Sequence, residues 1–397
     1  MTELPTASGT AALGAAVATC PRCGSTNAAV ARFCEECGTQ LTPVDGVAAE
    51  TGPAAGLESP ITVSARTTPA PPRERAQLPA AAPPEASALE TDLDTDDTVV
   101  IARPCANCGG VVGSDGYCQT CGTKAPTGRD HYTEQPSTWV AACCDKGIRH
   151  FRNEDATAVA SDPGRGGRAV LVVCDGVSTS VDSDVASLAA ARAAREVLVA
   201  HRPAGMGVAA SRAAATASAV QAAAAQANAA VVETTAPGSE NAASCTFAAA
   251  VIDGGQIVFG NVGDSRVYWL PDIGTAAQPA ELSLDDSVAQ ARIAMGVSRE
   301  EAENGPQAHA ITKWLGRDSP DFVPRIGSIE VSDPGWLLVC SDGLWNYVSE
   351  ATAMQSLVAT LSGANPDPLP LSVSLVGWAN EQGGKDNISV ALARYEP

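Results

Sequence analysis

Four strings in this chain end on an aspartate beside small residues: Val339-Cys340-Ser341-Asp342-Gly343-Leu344-Trp345, Val170-Leu171-Val172-Val173-Cys174-Asp175-Gly176, Val262-Gly263-Asp264-Ser265 and Lys385-Asp386-Asn387. A strand that stops on an Asp puts a hard oxygen ligand at the end of a sheet, where Mg²⁺ or Mn²⁺ can be held with water still attached. A fifth string, Arg152-Asn153-Glu154-Asp155, adds two more carboxylates. Taken singly, an Asp before a Gly is more often an ordinary turn residue. Six acids in distinctive strings, more than 200 residues apart end to end, are a different matter, because only a fold can gather them. Gathered, they suit metal-assisted hydrolysis of a phosphate ester.

A second chemistry sits upstream. Cys20-Pro-Arg-Cys23-Gly24 is followed by Cys34-Glu-Glu-Cys37-Gly38, and the pattern repeats at Cys105-Ala-Asn-Cys108-Gly109 and Cys118-Gln-Thr-Cys121-Gly122. Each CxxC-Gly knuckle turns two sulfurs onto one ion, and the glycine permits the positive φ that exposes backbone N–H groups to the thiolates. A redox CxxC is the competing reading; two pairs in tandem, twice over, favour two structural Zn²⁺ ions. Four thiolates leave no open position, so the ribbons are expected to fold small hairpins and offer docking surfaces.

The chain has 397 residues, enough for two or three domains and one core of over 200 residues. Its net charge of −20 argues against nonspecific binding to nucleic acid or to an acidic membrane. The Ala-rich stretch 208–232 is interrupted by Arg212, Gln221, Gln226 and Asn228, so no membrane span is expected. No signal-like N-terminus is read, and most of the thirteen cysteines fall in CxxC pairs or apolar runs, which suits a reducing, cytoplasmic setting.

The elements that must position these residues follow from pattern. The expected organisation is zinc ribbon 1 at 17–43, a flexible Ala/Pro/acidic linker at 44–100, zinc ribbon 2 at 101–125 and a folded domain at 130–397. Within the linker, Asp94-Thr95-Asp96-Asp97-Thr98 matches the DxDxT string of aspartate-nucleophile phosphatases but lacks the buried strand that motif needs. It reads as a solvated acidic run, or as a kinase site at Thr98 that a phosphothreonine-binding module would recognise. Buried strands are expected at Ser137–Cys144, Arg168–Cys174, Ser244–Ile252, Gln256–Gly260, Arg266–Leu270, 336–340 and Asn387–Arg394, with a hairpin turn at Asp253-Gly254-Gly255. Helices are expected at 182–200, 206–233, 286–294 and near 350–362 and 368–382. Runs of antiparallel strands with grouped helices make an α+β fold of packed sheets covered by helices.

The order NED, VCDG, SCT, GDSRVY, VCSDGLW and GGKDNISV resembles the metal-dependent, PPM-type (type 2C-like) Ser/Thr protein phosphatases of bacterial type, over about residues 130–397. The resemblance implies two antiparallel sheets flanked by helices, an αββα sandwich with a two-metal centre at one end. By position it implies that Asp175 bridges two Mn²⁺ or Mg²⁺ ions and that the Gly176 carbonyl helps hold the second. Asp342 and Asp386 would hold the first ion, and Glu154 and Asp155 the second, largely through its waters. Asp264 matches the carboxylate that joins the Asp342 position at a third, weaker ion, and Asn387 would orient Asp386 and a metal-bound water. Cys174 and Cys340, in apolar strands, are expected to be inert.

Two positions depart from the family. His150 stands where many members have the phosphate-gripping Arg; either neighbour, Arg149 or Arg152, supplies the charge, or His150 binds phosphate when protonated, or it is simply a strand-edge residue. Val177-Ser178-Thr179-Ser180 replaces the string that usually follows Asp-Gly. Residues 285–312, with a helix at Arg299 to Glu303 and a break at Asn304-Gly305-Pro306, are expected to form the flap beside the metals. The implied activity is hydrolysis of phosphoserine and phosphothreonine in phosphorylated proteins by a monomer, with a Ser/Thr kinase or a phosphothreonine-binding protein as partner. The rival is a catalytically weak phosphatase-fold scaffold that binds phosphoproteins in a kinase signalling complex.

Overall fold

The computed structural model describes residues 17–19, 21, 26–28, 108–113, 116–122, 125–203, 207–363 and 366–397. The linker, Thr98 and Cys20, Cys23, Cys34, Cys37 and Cys105 lie outside the described residues. Contacts divide the chain into two units, one of residues 1–44 with 126–397 and one of 45–125.

In the first unit, β1 (Val17–Thr19) and β2 (Thr26–Ala28) pair antiparallel, Thr19 opposite Thr26. The main domain then runs β3 (His131–Ser137), β4 (Val140–Asp145), β5 (Ala156–Ser161), β6 (Arg168–Cys174), α1 (Ser183–Ala200), α2 (Ala209–Thr234), β7 (Ser244–Cys245), β8 (Phe247–Asp253) and β9 (Gln256–Val262). It continues through β10 (Arg266–Pro271), β11 (Ala280–Glu281), α3 (Val288–Ala294), α4 (Arg299–Glu303), β12 (Leu315–Gly316), β13 (Arg325–Glu330) and β14 (Gly335–Cys340). It closes with α5 (Asp342–Trp345), α6 (Ala351–Ser362), α7 (Pro368–Glu381) and β15 (Ile388–Tyr395).

One sheet has the order β11-β10-β14-β15-β4-β3 and the other β13-β9-β8-β6-β5, all neighbours antiparallel. Their facing sides share one core, Val140, Leu337, Val339 and Ala391 from the first against Leu171, Val173, Ala250 and Ile252 from the second. The outer face of the second sheet is covered by α1 and α2, which present Ala186, Ala190 and Ala194 and Ala219, Ala223 and Ala227 at one-turn intervals. Alanine is the best helix former and lets two helices approach closely, so the Ala-rich run is a packing layer. Helices α6 and α7 cover the first sheet through Met354, Val358, Leu371 and Leu375. The expected four-layer αββα sandwich is what forms.

Three expectations change. The single strand expected at Ser137–Cys144 is a hairpin of two, turning at Thr138 and Trp139. Strands β5 and β13 carry no strong pattern, the first made of small residues and the second alternating on an edge. Asp386 does not end a strand; it precedes β15. Because β15 runs antiparallel to β14 and β4, its start lies at the edge where those two end, with Ile388 opposite Asp145 and Val390 opposite Cys340.

Candidate metal centre

Antiparallel pairing gathers the acids. Asp342 follows β14, Asp386 precedes β15, Asp175 follows β6, Glu154 and Asp155 precede β5, and Asp264 lies in the β9–β10 turn. Pairing of Ala156 with Cys174, and of Phe247 with Val262, brings the second sheet's contributors to one edge. Gly343 allows the close approach of α5 to β15, since a Cβ there would run into the Asn387 carbonyl.

Asp155, Asp342 and Asp175 are each tied to neighbouring residues by hydrogen bonds. Asp155 Oδ2 accepts from Ser341 Oγ at 2.6 Å, and that hydroxyl accepts from Ser389 N at 2.9 Å. Asp342 Oδ2 accepts from Asn346 Nδ2 at 3.0 Å. Asp175 N donates to Thr246 Oγ1 at 2.9 Å, and Thr246 N donates back to the Asp175 carbonyl at 2.7 Å. The second oxygens of Asp155 and Asp342, both Oδ1, are buried with no donor among the described residues.

The acids sense one another. Burial, then the charges of Asp155, Asp342, Asp386 and Asp264, pushes Asp175 well above the usual carboxylate range. Burial and Asp342 do the same to Asp264. Asp386 rises to about 7 through burial and Asp342, against the opposing His150, and Asp155 to about 6 through burial and Asp342 against the Ser341 hydrogen bond. Such a set repels itself unless cations lie among its members. Bare buried carboxylate oxygens on hard ligands are the donors that Mg²⁺ or Mn²⁺ takes, so the residues fit the ions that the motifs imply.

Glu154 behaves differently. Burial alone would raise it, but His150, Ser183 and Arg152 hold it at about 2. Arg152 reaches Glu154 Oε1 through Nε at 3.0 Å and Nη2 at 2.7 Å, and Ser183 Oγ reaches the same oxygen at 2.5 Å. Arg152 also lies 3.6 Å from Asp184.

His150 is not a strand-edge residue; it is in the β4–β5 loop with its ring largely buried between two acids. Its Nδ1 is 3.6 Å from Glu154 Oε2 and its Nε2 is 3.2 Å from Asp386 Oδ1. The second contact is off the hydrogen-bonding angle, so it is Coulombic. Burial works against the charged ring, yet the carboxylates of Glu154, Asp386 and Asp155 raise it to about 9. Arg149 is exposed, and its side chain has no partner among the described residues.

Asn387 corrects another expectation. Its side chain ties the loop together, accepting from Glu154 N at 2.7 Å and donating to the carbonyls of Lys146 at 2.7 Å and Arg152 at 3.1 Å; only its backbone N reaches Asp386 Oδ1, at 2.7 Å. Pattern reading missed Ser341, and also Arg129, whose Nη2 clamps the carbonyls of Asp155 at 2.8 Å and Asp184 at 3.3 Å. Ser341 could have been flagged, since it adjoins Asp342; Arg129 has no signature.

In the second unit, the sulfurs of Cys108, Cys118 and Cys121 lie within 4.8 Å of one another. Gly109 and Gly122 have φ of 74° and 71°, as the knuckles require. Backbone N–H groups of Cys121 and Thr120 pull the Cys118 thiol below its ordinary value, which favours a thiolate ligand.

With this geometry in place, comparison decides the family: the model described as Protein phosphatase 2C matches residues 146–378, more than half of the chain. The chain belongs to the protein phosphatase 2C family. A Double zinc ribbon model also matches residues 20–122. Relatives include protein phosphatase PhpP of Streptococcus pneumoniae, 31% identical over 144 residues, 36% of this chain and 54% of that one. Serine/threonine phosphatase stp of Listeria monocytogenes is 31% identical over 158 residues, 39% of this chain and 58% of that one. The chain thus spans little more than half the length of these relatives. Among solved structures, the PPM Ser-Thr phosphatase MsPP from Mycobacterium smegmatis is 26% identical, with a TM-score of 0.50 over 65% of this chain and 98% of that one. Stp1 from Staphylococcus aureus shares the fold at 23% identity and a TM-score of 0.54, over 65% and 95%. Five of the acids, Glu154, Asp155, Asp175, Asp264 and Asp342, lie within the matched residues 146–378, and Asp386 lies just beyond them.

Proposed function

We propose that this chain is a protein phosphatase for phosphoserine and phosphothreonine, working with two or three Mn²⁺ or Mg²⁺ ions, and that each ribbon holds one structural Zn²⁺. The observation that carries the reading is the pair of bare buried oxygens, Asp155 Oδ1 and Asp342 Oδ1, in a self-repelling set of acids. Asp175 would serve two ions, Asp342 and Asp386 would hold the first, the Gly176 carbonyl with Glu154 and Asp155 would hold the second, the two acids largely through its waters, and Asp264 with Asp342 would hold a third. Bound there, the ions offset the charge of a phosphate dianion and lower the pKa of the attacking water.

The chain's own residues orient and charge the site. Ser341 and Asn346 fix Asp155 and Asp342 so that one oxygen of each stays available. In the metal-free chain, burial disfavours the charged form of His150, but Glu154 and Asp386 raise it to about 9. Arg152 is committed to Glu154, so of the two arginines flanking His150 it is Arg149 that would take phosphate. The relatives named Ser/Thr phosphatases support phosphorylated proteins as substrates. The ribbons and residues 44–100 would tether this domain to a Ser/Thr kinase or a phosphothreonine-binding protein. Among the described residues no helix is long and apolar enough to cross a membrane.

A binding scaffold is the second reading, favoured by His150 in place of an Arg and by Arg152 being spent on Glu154. The Mn²⁺-loaded chain incubated with a phosphothreonine peptide separates the two. Free phosphate released over many turnovers supports the phosphatase; peptide retained with its phosphate intact supports the scaffold.

A further inference from the structure

We propose that Arg266 is a positioning residue that latches segment 285–312 to the corner carrying Asp264 and Asp342, and so governs which phosphoproteins reach the centre. The substrate part rests on the phosphatase reading; the latch does not. Arg266 follows Asp264 by two residues and is 2% exposed. Its Nε lies 3.1 Å from both oxygens of Asp285, and its Nη2 is 2.8 Å from Asp285 Oδ2. The same Nη2 donates at 2.8 Å to Glu303 Oε1 at the end of α4, and Glu281 Oε1 is 3.5 Å from Nε. The guanidinium carbon sits 3.5 Å from the ring centroid of Trp345, whose Nε1 donates to the Asp264 carbonyl at 2.9 Å. Trp345 ends the short helix that Asp342 begins. One side chain therefore touches the start of the segment, the end of α4 within it and the platform under two of the acids.

Elsewhere the segment is held differently. Its base is closed by the Ser287–Ile311 bridge, by Asp286 N donating to the Gly263 carbonyl at 2.8 Å and by Thr312 N donating to the Asp286 carbonyl at 2.7 Å. Its own small core is Ala289, Ala302 and Ala308. Out at α4, charged contacts do the holding. Glu303 Oε1 accepts from Arg266 and also from Arg299 Nη1 at 3.0 Å, and Arg299 reaches Glu281 at 3.1 Å and Glu350 at 3.3 Å. Removing the shared acceptor should free α4 while the base stays closed and Arg266 keeps Asp285. A planar fork with two carboxylates and an aromatic face is a role that Lys cannot reproduce.

The test uses the full chain, Glu303→Ala and Arg266→Lys. Tryptic cleavage after Arg292 and Arg299 should speed up about fivefold or more in Glu303→Ala, while the melting temperature moves by no more than about 2 °C. KM for a phosphothreonine protein should rise about fivefold, with kcat/KM for para-nitrophenyl phosphate within about twofold. Arg266→Lys should shift both readouts in the same direction. Cleavage at the wild-type rate in Glu303→Ala overturns the latch, and so does an equal loss on both substrates. Faster cleavage in a chain that turns over neither substrate would overturn the phosphatase reading and leave the latch standing.

Discussion

Asp155 and Asp342 share one arrangement: an oxygen engaged by a neighbouring side chain and an oxygen buried without a donor. Ser341 is the supporting residue with most at stake, because its hydroxyl serves Asp155 and Ser389 N at once. Ser341→Ala should weaken Mn²⁺ binding by about 10–100-fold, read by calorimetric titration, and cost about 1–3 kcal/mol of stability from the unsatisfied buried groups. The charges also predict a pH dependence for the metal-free chain. Asp155 at about 6 and Asp386 at about 7 lie above the 3.8 of an ordinary Asp, so the folded state holds more protons than the unfolded one across that window. Their contribution therefore falls as pH rises. His150, raised from 6.5 to about 9, stabilises fully below 6.5 and loses that contribution as pH climbs to about 9, the same direction. Glu154, held at about 2, opposes them only below 4.5. In chelator, the melting temperature should fall from about pH 5 to pH 9, and Mn²⁺ at about pH 8 should restore it with release of protons. A melting temperature that climbs steadily over this range would refute the charge assignment.

Elements put these residues within reach, and α5 against β15 is the tightest fit. Gly343→Ala would drive a methyl into the Asn387 carbonyl, so it should cost about 1–3 kcal/mol in a denaturant melt. It should also disturb Asp342 and Asp386 together, lowering turnover more than its stability loss explains. Legibility follows the same geometry. Strands β6 and β14 could be read because both faces are buried between a sheet and a helix layer, which makes their apolar runs continuous. Strand β5, Ala-Thr-Ala-Val-Ala-Ser, buries small residues, and β13 is an edge strand with an alternating face, so neither stands out. The acids were legible as strings with distinctive neighbours. Their supporting contacts were not: Ser341 and Asn387 each adjoin an acid of the strings, but Ser341 reaches Asp155 across 186 positions and Asn387 reaches Glu154 across 233, and nothing nearby in sequence announces such a partner.

At the scale of the molecule, a chain of the protein phosphatase 2C family also carries a stretch that matches a double zinc ribbon. Deleting residues 1–128 should leave turnover of a phosphothreonine peptide within about twofold of the full chain, while partner proteins are lost from a pull-down. A collapse in turnover would mean that the ribbons complete the catalytic fold. We propose that the gathered carboxylates make this chain a metal-dependent phosphatase. The most direct test is phosphate release from a phosphothreonine peptide by chelator-stripped protein as Mn²⁺ is titrated back, with Asp342→Asn alongside. No release is expected without metal, a saturable rise with Mn²⁺, and none in Asp342→Asn; turnover that persists in chelator, or survives the substitution, would contradict a metal-dependent phosphatase.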